Sequence, residues 1–312
     1  MTIATDSLSQ PISLPTVTYL PATVDSAPTI LEPYHVDLLP EYDYEQREYL
    51  VSGTAVGAPF CTRLLLRCPR DVGKFSGLVV TETSHIWSGT SVWRASNRWI
   101  MRNGHAWMEV DSQSPVAIGV VKASNPNRYQ TMTFLPGPLA KDFKDNIPFT
   151  PNPTRQTLED EYTKFMEQWW AATPQSPEVL VAASAAVRSG EMGLRATRVF
   201  LSGISQTGGV TRRFITHSSH LRLPDGGDPY NALIPAASGG PALPDPSPGV
   251  KVIELLGSEW KFSQDRLRQL YGTVANYRHQ AGVAIGHQVA QGFLLPCDAE
   301  TLRLETVEKV QF

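Results

Sequence analysis

The chain has little of what marks a secreted, membrane-bound or metal-binding protein. It contains 3 cysteines in 312 residues, and none lies in a CxxC pair or in a His/Cys cluster with the spacing of a metal site. No run approaches the roughly 18 apolar residues of a transmembrane helix. The first basic residue is Arg47, so the charged start of a signal peptide is also missing. We expect a cytoplasmic protein with reduced thiols, no metal and no membrane contact.

The charge balance gives no reason to expect a polyanionic partner. The formal net charge is -3, and charged residues make up 18% of the chain against 41% hydrophobic residues. This composition is typical of a globular protein with a sizeable core, and 312 residues suffice for one α/β domain. We therefore expect a small hydrophobic molecule as partner, no nucleic acid and no cofactor.

The first 31 residues differ from the rest of the chain. Residues 1–31 are rich in Ser, Thr and Pro without helical or alternating periodicity, which predicts an extended arm that is partly ordered at best. Residues 32–312 are expected to form one domain. It opens with two β-rich runs, 44–57 and 60–71, around a Gly-containing turn, which predicts an antiparallel hairpin. The arm and this hairpin offer surfaces for a homodimer.

Strand and helix patterns alternate beyond the hairpin. This order predicts an α/β fold with a mostly parallel central sheet and helices on both faces. The predicted strands are 75–82, 104–110, 197–204, 230–237, 251–257 and 277–284. Predicted helices lie within 90–103, 177–190 and 263–277, and one more follows Ser205 directly.

One long segment interrupts the alternation. Residues 126–176 are proline-rich and then turn into an amphipathic helix with Trp169 and Trp170 near its end. A connection inside a compact sheet is normally shorter. We therefore predict an inserted cap over the C-terminal edge of the sheet.

Residues 199–209 read VFLSGISQTGG, an apolar strand that enters a Gly-Ile-Ser-Gln-Thr-Gly turn. A helix pattern leaves the turn, which is the strand–turn–helix context of a nucleophile elbow. A serine hydroxyl attacks only if it stands clear of the sheet, so the turn is tight, and Gly203 and Gly208 supply the room. Thr207 occupies the place of the second glycine in GxSxG and is bulkier. The pattern predicts Ser205 as a nucleophile.

A nucleophilic serine needs a base, and where the serine lies in a nucleophile elbow the base follows it in the chain. His217 and His220 lie along the helix that leaves the turn, which carries them away from the hydroxyl. His279 falls within the predicted last strand, whereas His287 follows that strand in a Gly-rich loop, where a base facing Ser205 is expected. We predict His287 as the base, with His279 as the alternative.

The base needs an orienting carboxylate, which we expect in the loop after strand 251–257. Glu259 stands immediately beyond this strand. Glu254 lies inside the strand and Asp265 lies on the following helix, so Glu259 is the predicted acid.

Two backbone N–H groups are needed to stabilise the oxyanion. We predict one from Gln206, at the positive end of the helix that it opens. The second is expected in the loop after strand 75–82, with Ser84 and His85 as candidates; His85 could instead line the pocket with its ring. Tryptophans near these loops and in the cap predict a hydrophobic substrate pocket: Trp87, Trp169, Trp170 and Trp260.

These residues give the chain a resemblance to the α/β-hydrolase superfamily, and within it to the group called α/β-hydrolase domain-containing proteins. The matching elements, which include a strand ending in Gln, NPNRY and a GxSQ[ST]G elbow, lie at 45–55, 62–71, 75–82, 104–113, 125–129 and 203–213. The resemblance covers about residues 41 to 290. It implies a serine hydrolase or acyl-transfer fold with Ser205 as nucleophile and His287 as base.

Two short stretches depart from that group. Many members have Trp-Leu-Asn where this chain has Thr83-Ser84-His85, so the oxyanion side of the pocket differs. Many also carry Glu-x-Asp where this chain has Glu259-Trp260-Lys261, which leaves Glu259 as the local acid.

The sequence thus predicts a serine-dependent hydrolase of an ester, lactone or thioester that works through an acyl-enzyme. Two alternatives stay open. The same acyl-enzyme could serve an acyltransferase or a cyclase. A non-covalent lyase or binding protein could also use the hydrolase scaffold, because a fold does not fix a function.

Overall fold

The computed structural model describes residues 10–86, 91–138, 155–238, 243–244, 246, 248–255, 273–290, 300 and 303. It gives no side-chain description for residues 10, 155–160, 162–163, 284 and 287–290. The chain divides into two compact units, Met1–Glu254 and Leu255–Phe312.

The first unit is an α/β structure that contains the sheet. Its strands are β1 Gln10–Pro11, β2 Thr16–Tyr19, β3 Tyr44–Ala55, β4 Ala58–Pro69, β5 Leu78–Thr83, β6 Ala106–Val110, β7 Arg198–Ile204, β8 Leu221–Arg222, β9 Ala232–Ala236 and β10 Lys251–Val252. Its helices are α1 Trp93–Arg102, α2 Arg155–Ala172, α3 Ser176–Ser189 and α4 Gln206–His217. Shorter helical pieces are Val36–Leu38, Pro40–Tyr42, Val72–Lys74, Ser114–Val116 and the π-helix Ala117–Lys122.

The main sheet has eight strands in the order β10-β9-β7-β5-β6-β4-β3-β2. The five strands from β10 to β6 are parallel, and β4, β3 and β2 add antiparallel neighbours at one side. Strands β1 and β8 pair in parallel as a separate ribbon. The predicted mostly parallel sheet with an N-terminal antiparallel hairpin is confirmed.

The hairpin β3–β4 closes through a two-residue turn at Val56 and Gly57. Both have positive φ, of 52° and 70°, the geometry that matches the right-handed twist of paired strands. A β-branched residue is strained in this region. The Val56 N–H donates to the Glu178 carboxylate at 3.0 Å, which ties the turn to the first turn of α3.

Side chains of the central strands alternate between two cores, because successive residues of a strand point to opposite faces. Leu64, Leu66 and Val79 belong to the core beneath α3 and α4. Leu65 and Val80 belong to the core beneath α1. Helices therefore cover both faces, as predicted.

The N-terminal arm is part of the fold from residue 10 onward. Strand β2 extends the main sheet, and buried arginines hold the segment that follows it. Arg63 donates to the Thr29 carbonyl at 2.5 Å and Arg67 donates to the Glu32 carbonyl. Arg128 of the NPNRY element donates, at 2.7–3.0 Å, to the carbonyls of Leu20, Pro21 and Ser26. The described part of the arm, from residue 10 onward, is thus held by side chains that lie far along the chain.

One predicted strand is wrong, and its residues form a helix in the second unit. Residues 277–284 lie within a helix, α5 Val274–Ala290, instead of the predicted last strand. The predicted strand had no sustained alternation, and the neighbouring alanines and glutamines favour a helix over its whole length. His279 and the backbone of His287 therefore lie on one helix.

Cys61 and Cys68 are buried free thiols on β4, and Cys297 lies outside the described residues. Within the described part of the chain, no helix has the length and apolar content needed to cross a bilayer. Among the same residues, no group of three or more His, Cys, Asp or Glu side chains is arranged so that it could hold a metal ion.

Replacing Arg128 with Ala should destabilise the fold strongly. The guanidinium contacts the buried Glu48 carboxylate at 2.7 Å besides holding the arm, so its loss leaves a buried charge poorly paired. We expect the free energy of unfolding to fall by about 3–5 kcal/mol in urea titrations. Arg70→Ala, at an exposed arginine, should change it by less than about 0.5 kcal/mol. Equal effects of the two variants would contradict this role.

Glu82 should make stability depend on pH. Burial raises the pKa of Glu82 to about 8, against the opposing effect of the Val92 N–H and the Trp107 indole. The folded state then binds this proton more tightly than the unfolded chain, so the free energy of unfolding falls as pH rises from about 4.5 to about 8. Glu82→Gln cannot ionise, and its urea titrations should show a shallower decline over this range. An unchanged slope would argue against the raised pKa.

Candidate active site

Ser205 sits in a strained turn between β7 and α4. Its backbone has φ 58° and ψ -119°, a positive-φ conformation that costs a non-glycine residue about 1–3 kcal/mol. The Ser205 N–H donates to the Ala236 carbonyl at the end of β9, at 2.9 Å, and its own carbonyl accepts from the Gly209 N–H at 2.9 Å. Neighbouring strand and helix therefore hold the turn from both sides.

The two glycines beside Ser205 are required by close backbone approaches. A Cβ at Gly203 would lie 2.2 Å from the Thr207 carbonyl oxygen, and a Cβ at Gly208 would lie 2.5 Å from the Ala236 carbonyl oxygen. Thr207 fits because its side chain is used in the turn. Its hydroxyl accepts from the Ile204 N–H at 2.9 Å and lies 3.0 Å from the Ile204 carbonyl.

Ser205 is more exposed to solvent than the two residues that follow it. Ser205 is partly exposed, whereas Gln206 and Thr207 are buried at 2% and 0% exposure. Ser205 is also the N-cap of α4, where the helix dipole is positive. Ser205 therefore lies at a partly exposed edge, beside N–H groups that favour negative charge.

Buried amides lie next to Ser205. Gln206 donates through Nε2 to Gln113 Oε1 at 2.8 Å, and the indole of Trp169 donates to the same oxygen. Gln113 in turn donates to the Ser84 carbonyl at 2.9 Å. One glutamine thus connects the residue after Ser205, the loop after β5 and helix α2.

The loop after β5 contains the two predicted oxyanion donors. The Ser84 N–H donates to the Val110 carbonyl at 2.9 Å, so it is engaged at the sheet edge, which favours His85 of the two. The Ile86 N–H faces Gln206 Oε1 at 3.5 Å. Burial lowers the pKa of His85 to about 4, so its ring is neutral near pH 7.

A buried ion pair is hydrogen-bonded to this loop. Arg63 binds Asp111 through two nitrogens, at 2.6 and 3.1 Å, and Glu109 at 2.5 Å. Asp111 accepts from the Ser84 hydroxyl. Since Arg63 and Asp111 are fully buried, this charge-assisted network fixes the backbone at Ser84.

The predicted base and acid belong to the second unit. The backbone of His287 lies in α5 rather than in a loop, and its side chain lies outside the described residues. Glu259 also lies outside them, as do Trp87 and Trp260. Of the alternatives, Glu254 is paired with Arg212 of α4.

The described tryptophans of the predicted pocket differ in surroundings. Trp169 is fully buried and bonded to Gln113, two hydrogen bonds from Gln206. Trp170 lies under the Arg213 guanidinium, 5.3 Å from the ring centre, and lines a cavity of about 140 Å³ with Val210 and His217. Of these two tryptophans, Trp169 is the one that hydrogen bonds connect to Gln206 beside Ser205.

Gln113 and Asp111 are the site residues that sequence reasoning missed. The only signal for Gln113 was its place at the end of the run GHAWMEVDSQ. The segment 126–176, predicted as a cap, contributes Phe165, Met166 and Trp169 to a core with Ile86.

Comparison with a protein-family model supports this description. The model is described as an α/β hydrolase domain, and it matches residues 10–251 and 243–303. No curated protein sequence gives a significant match.

Similar solved structures are distant. A putative dienelactone hydrolase from Klebsiella pneumoniae subsp. pneumoniae is 12% identical over 72% of this chain and 80% of its own, with a TM-score of 0.38. Brefeldin A esterase, a bacterial homologue of human hormone-sensitive lipase, is 13% identical over 63% and 40%, with a TM-score of 0.30. An acetyl xylan esterase from Paenibacillus sp. R4 is 12% identical over 73% and 54%, with a TM-score of 0.34. This chain spans less than half of the brefeldin A esterase, and the family assignment depends on the family model.

Thr207→Val should test the role of the hydroxyl in the turn. Valine keeps the shape but leaves the Ile204 N–H without its acceptor, so we expect the free energy of unfolding to fall by about 1–3 kcal/mol. The control is Thr216→Val on the exposed side of the same helix, whose hydroxyl bonds to the Arg212 carbonyl at 3.1 Å. This control should cost less than about 0.5 kcal/mol. Urea titrations of both variants measure the fall in the free energy of unfolding. Equal falls in the two variants would contradict the role given to the Thr207 hydroxyl.

Proposed function

Because the chain belongs to the α/β-hydrolase domain family, we propose that it is a serine-dependent hydrolase of a carboxylic ester, lactone or thioester. The family model also confirms the resemblance seen in the sequence. The observation that carries the proposal is the backbone of Ser205, with φ 58° and ψ -119° between β7 and α4. Backbone strain of this kind clusters at active sites. Here the strained turn places Ser205 at the N-terminus of helix α4.

The proposed reaction has two steps. The Ser205 Oγ attacks the carbonyl carbon while His287 accepts the hydroxyl proton, and His287 returns it to the leaving alcohol or thiol. A water molecule then attacks the acyl-enzyme by the same route and releases the acid. Glu259 is the proposed partner that orients the His287 imidazole.

The oxyanion is proposed to bind two N–H groups. The Gln206 N–H opens α4, where the helix dipole adds to its attraction for negative charge. The N–H of His85 is the proposed second donor, since that of Ser84 is bonded to Val110. Trp169 beside Gln113, with the predicted Trp87 and Trp260, supports a hydrophobic small molecule as substrate.

Intact-mass analysis after treatment with a fluorophosphonate tests the proposal. The wild type should gain one adduct, because only an activated serine attacks the probe. Ser205→Ala should gain none, and His287→Ala should label at least about 100-fold more slowly. Ser202→Ala is the control, since Ser202 lies three residues away and its hydroxyl bonds to the Ile234 carbonyl; it should label as the wild type does.

The acid is tested in the same assay. Glu259→Gln should slow labelling by at least about 100-fold because the amide orients the imidazole wrongly. Glu254→Gln should leave the rate unchanged, since Glu254 pairs with Arg212. An adduct that persists in Ser205→Ala, or a folded wild type that gains none, would overturn the proposal.

A further inference from the structure

The hydrogen-bond partners of the Gln113 and Gln206 side chains show which end of each amide is the oxygen and which is the nitrogen. An indole N–H can only donate a hydrogen bond, so the Gln113 atom that it contacts is the oxygen. The Gln113 nitrogen then faces the Ser84 carbonyl. Gln206 must present its nitrogen to Gln113 Oε1, which turns its own oxygen toward the Ile86 N–H.

We infer that Gln113 is a positioning residue for the oxyanion side of the Ser205 site and that Trp169, together with the Ser84 carbonyl, sets its orientation. The inference rests on the proposed function, since it assigns Gln113 a role in the reaction of Ser205. Gln113 is bonded to the side chain of Gln206, the residue after the nucleophile, and to the backbone of the loop that carries the second proposed donor. It therefore sets the separation of the two oxyanion donors.

Burial gives these contacts their strength. Gln113 and Trp169 are fully buried, Gln206 is 2% exposed and Ser84 is 2% exposed, so water competes poorly for the amides. The Trp169 N–H, which can only donate, and the Ser84 carbonyl, which can only accept, hold Gln113 in one orientation. Without the Trp169 N–H, the Gln113 oxygen keeps Gln206 as its donor and the amide is held less firmly. Both ties would weaken together, which couples helix α2 to the reaction at Ser205.

Kinetics on a short-chain nitrophenyl ester test this coupling. Gln113→Met keeps the volume and removes all three bonds, so kcat should fall about 10- to 100-fold, while KM should change by less than about threefold because the residue does not touch substrate. Trp169→Phe should lower kcat less, and the double variant should be no slower than Gln113→Met alone. The control is Trp107→Phe, which removes a buried indole N–H from Glu82 in the core beneath α1 and should leave kcat unchanged.

The pH profile of Gln113→Glu separates positioning from packing. An ionised carboxylate can accept from Trp169 and Gln206 but repels the Ser84 carbonyl, whereas a protonated carboxyl can donate to it as the amide does. The ratio of variant to wild-type kcat should therefore rise as pH is lowered from 8 to 5.5. A ratio independent of pH, or effects of Gln113→Met and Trp169→Phe that simply multiply, would overturn the inference.

Hydrogen exchange measures the coupling without any reaction. In Trp169→Phe the backbone amides of residues 84–86 should exchange faster than in the wild type, and in Trp107→Phe they should not. If Ser205→Ala keeps full esterase activity, the proposed function fails while this measurement still decides the coupling. Unchanged exchange in Trp169→Phe would overturn the inference even if Ser205 proves to be the nucleophile.

Discussion

The positive-φ turn at Ser205 is the constraint on which the rest of the site depends. The turn places the partly exposed Ser205 at the end of a strand, and this conformation costs about 1–3 kcal/mol for a serine. Three features offset that cost: the Ser205 N–H bond to β9, the Thr207 hydroxyl that closes the turn, and the close backbone approaches allowed by Gly203 and Gly208. The turn therefore exists only where β7, β9 and α4 are already in place.

Beneath this turn, buried polar side chains position the loop after β5 relative to Gln206. Arg63 and Asp111 form a bidentate ion pair, and Asp111 fixes Ser84. Gln113 then joins that loop to Gln206. A buried pair of this kind adds little net stability when it replaces apolar packing, but its directional bonds hold backbone atoms at set distances. Stability of the fold and geometry of the site are thus served by different interactions, the apolar cores and the polar network.

The sequence predicted local features well and long-range ones poorly. The elbow was predictable because an apolar run, small residues and a helix pattern all fall within about a dozen residues, and the hairpin because alternation and its turn are adjacent. Residues 277–284 were assigned to a strand on a short, weak alternation, although α5 extends over 17 residues. Gln113 was missed because its role comes from partners 29, 56 and 93 residues away. The contacts of the described part of the arm were out of reach for the same reason, since they come from arginines far along the chain.

Rapid-quench mass spectrometry with peptide mapping tests the central claim most directly. The wild type is mixed with an activated ester, stopped in acid within milliseconds and digested. The account predicts the acyl group on the peptide that contains Ser205, at a level that rises before steady-state product release. Turnover of the ester with no acyl group on Ser205, or with the group on another residue, would contradict it.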